Sequence, residues 1–200
     1  MAQALLIVDF QNDFTAGGAL EVPGGDEIAG PVNRLAREHD HVFATRDWHP
    51  PEHGSFEGVE IDHERWDGAE PPNIWPVHCV AGTEGAELHS GLDVDEVDVV
   101  LDKGQSPHSQ GYSAFHGTNL AEQLRERGVD RIIATGLATN LCVKHTVLDA
   151  LREGFEVTVV EDATRGVELH EGDTDRAIEE MREAGARIAQ SAEVLGAARG

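Results

Sequence analysis

Apolar runs alternate with amphipathic segments along the whole chain. Six short runs predict β-strands, at residues 4–8, 41–45, 97–101, 131–135, 157–160 and 186–189. The central runs are continuously apolar, which is typical of strands buried on both faces of a sheet. Apolar positions at helical spacing predict helices at residues 26–38, 120–127, 140–153 and 173–184. Glycine follows the last three of these, at positions 128, 154 and 185, where helices commonly end.

This alternation of strands and helices predicts an α/β fold. We expect a three-layer α/β/α arrangement with a mostly parallel, six-stranded, Rossmann-like sheet and right-handed crossovers. The 200 residues are predicted to form a single domain, residues 1–200. Residues 50–90 break the alternation and are rich in Gly, Pro, His and acidic residues. A loop of that length inside a compact domain is usually functional.

Polar residues stand where the first three predicted strands end, and ligands of parallel sheets bind beyond the carboxyl ends of the strands. Asp9 follows the first strand, Asp47 the second and Lys103 the third, while the fourth leads to Cys142. We therefore expect two acids, a lysine and a thiol to meet at one edge. Two simpler interpretations remain: each charge is a solvated strand end, or Asp9 and Lys103 form a buried ion pair without catalysis.

Cys142 lies near the start of a predicted helix. The helix dipole and the unpaired N–H groups there favour a thiolate, and the same N–H groups can hold an oxyanion. Most free cysteines are small core residues instead, so this stretch alone leaves both interpretations open. Asp9 is a weak base unless its pKa is raised; burial would raise it, and Lys103 would act in the opposite direction.

A second group of residues suggests a metal site. Asp47 and His49 are two positions apart at a strand end, and His53 and His78 follow in the irregular segment. A carboxylate with imidazoles suits Zn²⁺, Fe²⁺ or Mn²⁺. His-rich loops can also be incidental in a chain with 11 histidines. Cys79, beside His78, is a candidate ligand or reactive thiol, although a packed structural residue is the simpler interpretation.

The formal net charge of −23 argues against partners that are themselves anionic. Thirty-eight acidic residues against fifteen basic ones disfavour nucleic acids and anionic membranes. Only two lysines occur, and an acidic, lysine-poor surface predicts a salt-accumulating host, with an ordinary acidic protein as the alternative. Two cysteines do not make a disulfide framework, and the first residues form no basic leader, so a cytoplasmic location is expected.

Several sequence blocks resemble, in the right order, the nicotinamidases and pyrazinamidases of the isochorismatase-like cysteine hydrolases. The blocks are DFQNDF at 9–14, GGAL at 17–20, DWHPPEHGSF at 47–56, WPVHCV at 75–80, DKG at 102–104, GYSAF at 111–115 and GLATNLCV at 136–143. They span nearly the whole chain.

The resemblance implies a role for each matching residue. Asp9, Lys103 and Cys142 match the catalytic triad. Asp47, His49 and His78 match the ligands of one divalent ion, Zn²⁺ first, with Fe²⁺ or Mn²⁺ as alternatives. Phe14, Trp75 and Tyr112 match aromatic positions around a pyridine ring. Ala138 and Cys142 match the oxyanion donors, with a cis peptide between Ala138 and Thr139. His53 matches a ligand found in some members only, so its role stays open.

The implied activity is hydrolysis of nicotinamide to nicotinate and ammonia, a step of NAD salvage, with pyrazinamide as a further substrate. Residues 47–90 would form the metal and substrate loop. Residues 57–73 and 104–110 are expected to border the pocket and leave the substrate range open. The alternatives are another amidase of the superfamily, acting on a different small amide or carbamoyl compound, or a non-catalytic metal- or metabolite-binding member. Homo-oligomerisation is left open.

Overall fold

A six-stranded, all-parallel sheet runs through the computed structural model, which describes residues 2–67 and 71–197. The strands lie in the order β3-β2-β1-β4-β5-β6. Their bounds are β1 Ala2–Val8, β2 Val42–Asp47, β3 Val99–Lys103, β4 Val129–Leu137, β5 Glu156–Arg165 and β6 Arg187–Ala189. Every predicted strand is present. Strand β5 continues five residues past its predicted end because polar residues follow its apolar run and hide the extension from the apolar pattern.

Five α-helices accompany the sheet in the described residues. They are α1 Ala29–Ala36, α2 Leu120–Glu126, α3 Lys144–Arg152, α4 Asp173–Glu183 and α5 Ser191–Ala197. A 3₁₀ turn, Gly25–Ile28, precedes α1, and a π-helical turn, Thr139–Val143, precedes α3, so two predicted helices begin irregularly. Helix α5 is not predicted from the sequence, because its two large apolar residues, Val194 and Leu195, are adjacent and set no helical spacing.

The helices cover both faces of the sheet and make three layers. In β1, Leu5 and Ile7 face α1, while Leu6 and Val8 face α2 and α3, because successive side chains of a strand alternate. All four side chains are fully buried. The continuous apolar run of β1 therefore reflects a central strand with a hydrophobic core on each side. None of the helices in the described residues is long and apolar enough to cross a membrane.

The irregular segment after β2 folds over the carboxyl end of the sheet. It contains a 3₁₀ turn, Glu84–Ala86, and isolated bridges that join His49 to Val80 and Phe56 to Trp75. The backbone N–H of His89 donates to the carbonyl of Phe10, 2.8 Å away, which ties the far end of the segment to the turn after β1. This path brings His53 and His78 to the edge where β2 ends in Asp47.

Candidate active site

Strand register places the side chains of Asp47 and Lys103 together. The last pairs of β2 and β3 are Arg46 with Asp102 and Asp47 with Lys103. Because side chains alternate, the two pairs lie on opposite sides of the sheet. Arg46 and Asp102 form a partly exposed ion pair, whereas Lys103 Nζ lies 2.6 Å from Asp47 Oδ1 in a buried one.

Lys103 is fully buried and has three oxygen partners. Its Nζ lies 2.7 Å from Asp9 Oδ2 and donates to the Gly111 carbonyl at 2.8 Å, in addition to its contact with Asp47. Burial alone would lower the pKa of Lys103, but the charges of Asp47 and Asp9 outweigh it and hold that pKa well above the usual value. The lysine is therefore a permanent cation at the centre of the site.

Asp9 directly follows β1 and has a backbone φ of +48°, which turns its side chain into the site. Thr45 Oγ1 donates to Asp9 Oδ1 at 2.7 Å, so both carboxylate oxygens are held. Burial raises the pKa of Asp9 to about 6, although Lys103 acts to lower it. These are the two opposing effects that the sequence predicts for this position. The carboxylate is consequently a stronger base than an exposed aspartate.

Cys142 is buried with its Sγ 3.5 Å from Lys103 Nζ. It lies in the π-helical turn before α3, where Leu141 has non-helical backbone angles of −122° and −105°. The prediction that a helix N-terminus favours the thiolate is wrong for the resting site. Burial raises the pKa of Cys142 well above its usual value; Lys103 acts to lower that pKa, and the charges of Asp9 and Asp47 act with burial to raise it. The resting group is a thiol that needs a base.

Asp47, His49 and His78 form a buried group whose ligand atoms all lie within 4.8 Å of one another. His49 Nδ1 donates to the Gly104 carbonyl at 2.8 Å, and His78 Nδ1 donates to the Pro76 carbonyl at 2.7 Å. Since a carbonyl accepts only from N–H, these contacts leave the Nε2 lone pairs as metal donors. One carboxylate oxygen and two neutral imidazoles fit a divalent transition metal or zinc.

His53 lies beside this group and not within it. Its ring packs on that of His49 with centroids 4.0 Å apart, and its Nδ1 hydrogen-bonds Ser55 Oγ at 2.7 Å. Burial lowers the pKa of His53 to about 3 and that of His78 to about 4, so both rings are neutral at pH 7. Cys79 also stands outside the group. It is packed in the hydrophobic core, and burial raises the pKa of its thiol, which makes it an inert structural residue.

A pocket opens between the thiol and the metal-ligand group. Its polar end is formed by Asp47, His78 and Cys142. The three aromatic residues singled out from the sequence all line it, and the remaining lining residues are Leu20, Glu21, Val22, Ala138, Leu141 and Val167. Trp75 Nε1 donates to the Tyr112 hydroxyl at 2.9 Å, which fixes the two rings against each other. A mostly apolar slot lined by three aromatic side chains suits a small aromatic ring.

The structure also shows what the sequence did not indicate. Among the described residues, neither 57–73 nor 104–110 contributes to the lining of this pocket, contrary to the expectation. Thr45 and Gly111, which hold Asp9 and Lys103, were missed. Thr45 precedes Asp47 by two strand positions and so faces the same side, a signal that was available. Gly111 accepts the hydrogen bond of Lys103 with its backbone carbonyl, so the type of its side chain gives no signal in the sequence.

The cis peptide lies at Leu137–Ala138 and not at Ala138–Thr139. The expected position is wrong by one bond, since the chain turns directly where β4 ends at Leu137. Before that turn, β4 passes very close to β1: a Cβ on Gly136, whose φ is +111°, would lie 2.0 Å from the Val8 carbonyl oxygen. Only glycine allows this approach.

The chain is similar in sequence and fold to known proteins. The isochorismatase domain model matches residues 3–193. The chain belongs to the isochorismatase family. A nicotinamidase of Escherichia coli K12 is 44% identical to this isochorismatase-family chain. The alignment is 200 residues long and covers 93% of this chain and 93% of that relative. A nicotinamidase/pyrazinamidase structure from Acinetobacter baumannii is 36% identical, with a TM-score of 0.86 and coverage of 96% and 97%.

A pyrazinamidase of Pyrococcus horikoshii, solved in complex with zinc, is 43% identical, with a TM-score of 0.80. The alignment covers 95% of this chain and 99% of that one. The family, the all-parallel α/β fold and the overall path of the chain are thus shared with hydrolases of small amides.

Proposed function

We propose that this chain is a nicotinamidase, a cysteine amidohydrolase that converts nicotinamide to nicotinate and ammonia. The observation that carries the proposal is the position of Lys103, whose Nζ lies 2.7 Å from Asp9 and 3.5 Å from the Cys142 sulfur. A base, a cation and a thiol therefore meet at the end of a slot that fits a pyridine ring. The identity of 44% to a nicotinamidase supports the same substrate, and the pyrazinamidase relative supports pyrazinamide as a second one.

Acylation begins when Asp9 takes the proton of Cys142 and the thiolate attacks the carboxamide carbon. Burial raises the pKa of Asp9 to about 6, which makes Asp9 a better proton acceptor than an exposed aspartate, while the thiol that it deprotonates is held as a weak acid by the same burial. The backbone N–H groups of Ala138 and Cys142 stabilise the oxyanion. Lys103 stays charged and offsets the negative charge that builds up between sulfur and carboxylate.

Release of the two products follows from the same groups. Asp9 returns its proton to the leaving nitrogen, the C–N bond breaks, and ammonia departs from a thioester on Cys142. A water molecule then attacks the thioester carbon while Asp9 accepts its proton. The C–S bond breaks, the thiolate regains that proton from Asp9, and the acid leaves as nicotinate after it releases its remaining proton to solvent.

Asp47, His49 and His78 would hold a divalent ion, which we propose to be Zn²⁺. When bound, it supplies a Lewis-acid site for the pyridine nitrogen and so orients the ring. The donor set supports this choice, as does the zinc-bound pyrazinamidase relative. Phe14, Trp75 and Tyr112 then contact the ring, and the small pocket excludes bulkier amides. We also propose that the protein acts in NAD salvage and is located in the cytoplasm.

Cys142→Ala tests the proposal. This change should lower ammonia release from nicotinamide below detection while leaving bound zinc unchanged, because the sulfur acylates but is not one of the three ligand residues. Ammonia is measured by a coupled assay and zinc by elemental analysis of the same sample. Cys79→Ala is the matched control and should keep turnover. Wild-type protein that releases ammonia from a carbamoyl compound but not from nicotinamide would contradict the substrate assignment.

A further inference from the structure

Gln11 is a buried glutamine that contacts the backbone of Asp47 with both ends of its amide. Its Oε1 accepts from the Asp47 N–H at 2.8 Å, and its Nε2 donates to the Asp47 carbonyl at 2.8 Å. Strands β1 and β2 pair in register only as far as Ile7 and Ala44. On its β1 side, Asp47 therefore lies beyond the last paired residue, although on its other side it pairs with Lys103 of β3. The side chain of Gln11 thus provides Asp47 with the partners that a neighbouring strand would otherwise supply.

The same amide reaches a third segment. Nε2 also donates to the Ala86 carbonyl at 2.7 Å, and the backbone N–H of Gln11 donates to the Asp9 carbonyl at 2.9 Å. Gln11 therefore joins the turn after β1, the end of β2 and the irregular segment. Both amide hydrogens have acceptors, so the orientation of the amide is fully determined.

The backbone that Gln11 contacts carries the Asp47 carboxylate. Its Oδ1 lies 2.6 Å from Lys103 Nζ, and its Oδ2 lies 3.4 Å from His49 Nε2. An aspartate has only one methylene between backbone and carboxyl group, so a shift of its backbone moves both oxygens directly. The carboxylate that belongs to the metal-ligand group is also the counterion of the lysine.

We infer that Gln11 is a positioning residue, which aims one oxygen of Asp47 at the metal and the other at Lys103 without touching the substrate. This inference rests on the proposed metal site. Partners that orient a metal ligand typically change metal affinity or activity by about 10–100-fold when they are removed. Gln11 differs from such partners in that it acts on the backbone of the ligand and in that the ligand also serves the catalytic lysine.

Gln11→Met tests the inference, because methionine keeps the length of the side chain and removes all three hydrogen bonds. We expect the dissociation constant for Zn²⁺ to rise about 10–100-fold. At saturating Zn²⁺ we expect kcat for nicotinamide to remain below wild type, since the Lys103 contact is disturbed as well. Zinc affinity is measured by competition with a chromophoric chelator, and the melting temperature of the metal-free protein is recorded alongside. Gln123→Met, on helix α2, is the matched control and should match wild type in zinc affinity.

Gln11→Glu separates geometry from charge and serves if the methionine variant does not fold. Glutamate replaces the Nε2 donor by an oxygen, which cannot donate to the carbonyls of Asp47 and Ala86 and so disturbs the geometry. By itself, the added negative charge would strengthen the binding of a cation. Weaker zinc binding in this variant therefore supports positioning. A wild-type zinc affinity in either variant, with only the melting temperature lowered, overturns the inference while the proposed function stands. If the wild-type protein binds no zinc, both the proposed metal site and the inference are overturned. Ammonia release from nicotinamide by the same protein would still support the proposed hydrolase activity.

Discussion

Asp47 and Lys103, the last residues of two neighbouring strands, form a fully buried ion pair with Nζ 2.6 Å from Oδ1. The same Nζ lies 2.7 Å from Asp9 Oδ2 and 3.5 Å from the sulfur of Cys142. The other oxygen of Asp47, Oδ2, lies 3.4 Å from His49 Nε2, and Asp47 is one of the three metal-ligand residues. Burial acts to raise the pKa of Asp47, but the charge of Lys103 acts against it, and that pKa stays below its usual range. One carboxylate thus links the proposed catalytic triad to the proposed metal site.

Lys103→Met should abolish turnover and destabilise the fold by about 3–5 kcal/mol, because it leaves two buried carboxylates without their cation. Steady-state kinetics and urea denaturation measure the two effects. Lys144→Met is the matched control: it removes the only other lysine, which forms a partly exposed ion pair with Glu180. That change should cost only about 0–1 kcal/mol and leave kcat unchanged. Equal losses of stability in the two variants would contradict the structural role of Lys103.

The pH dependence of kcat/KM should reflect Asp9. A proton acceptor works only when it is deprotonated, and burial raises the pKa of Asp9 to about 6. We therefore expect kcat/KM to fall by about tenfold for each pH unit below 6 and to be flat just above it. The profile is recorded with nicotinamide between pH 4.5 and pH 8 under fixed ionic strength. A flat profile through pH 5 would mean that another group accepts the proton of Cys142.

Asn140 should set the width of the substrate pocket. Its Nδ2 donates to the Val167 carbonyl at 2.8 Å, and its Oδ1 accepts the Val167 N–H at 3.0 Å, so it joins the nucleophile turn to one pocket wall. Asn140→Asp keeps the size and the acceptor but replaces the donor by an oxygen. We expect KM for nicotinamide to rise about 3–10-fold, in keeping with the loss of one hydrogen bond of about 1 kcal/mol. Kinetics with nicotinamide and a larger aromatic amide measure the effect.

The control for Asn140 is a surface amide in the same protein. Asn33→Asp, at a partly exposed position on helix α1, should leave KM unchanged. An increase in KM of the same size in both variants would show that a general loss of stability is responsible, and not the pocket wall.

Salt should stabilise the folded protein. The net charge of −23 gives strong self-repulsion, which counterions screen within about 3 Å at 1 M ionic strength. We expect the melting temperature to rise between low and molar KCl, in keeping with the proposed salt-accumulating host. A second series with NaCl at the same ionic strength distinguishes general screening of charge from a specific effect of potassium. A melting temperature that stays constant or falls would refute the salt hypothesis.

The sequence predicted the fold well because its signals are local. The apolar run of β1 and the helical spacing in α4 depend on residues a few positions apart, so both elements lie close to their predicted bounds. Helix α5 was missed because its two large apolar residues are adjacent and show no helical spacing. It is anchored by a distant contact instead: the Ser191 N–H and hydroxyl both donate to the carboxylate of Asp162, each at 2.6 Å.

The strand-end rule and the motif blocks together named the chemical groups of the site, since residues that end parallel strands meet at one edge whatever the details of packing. By itself, the sequence therefore determined the sheet, the residue types at its carboxyl edge and the class of chemistry that they support. Tertiary structure decided which atoms face each other. It paired Asp47 with Lys103, left His53 beside the metal-ligand group, placed Gln11 against Asp47, and kept Cys142 as a thiol. These outcomes depend on strand register, burial and the charges of residues far apart in the chain, and no local pattern encodes the sum of those effects.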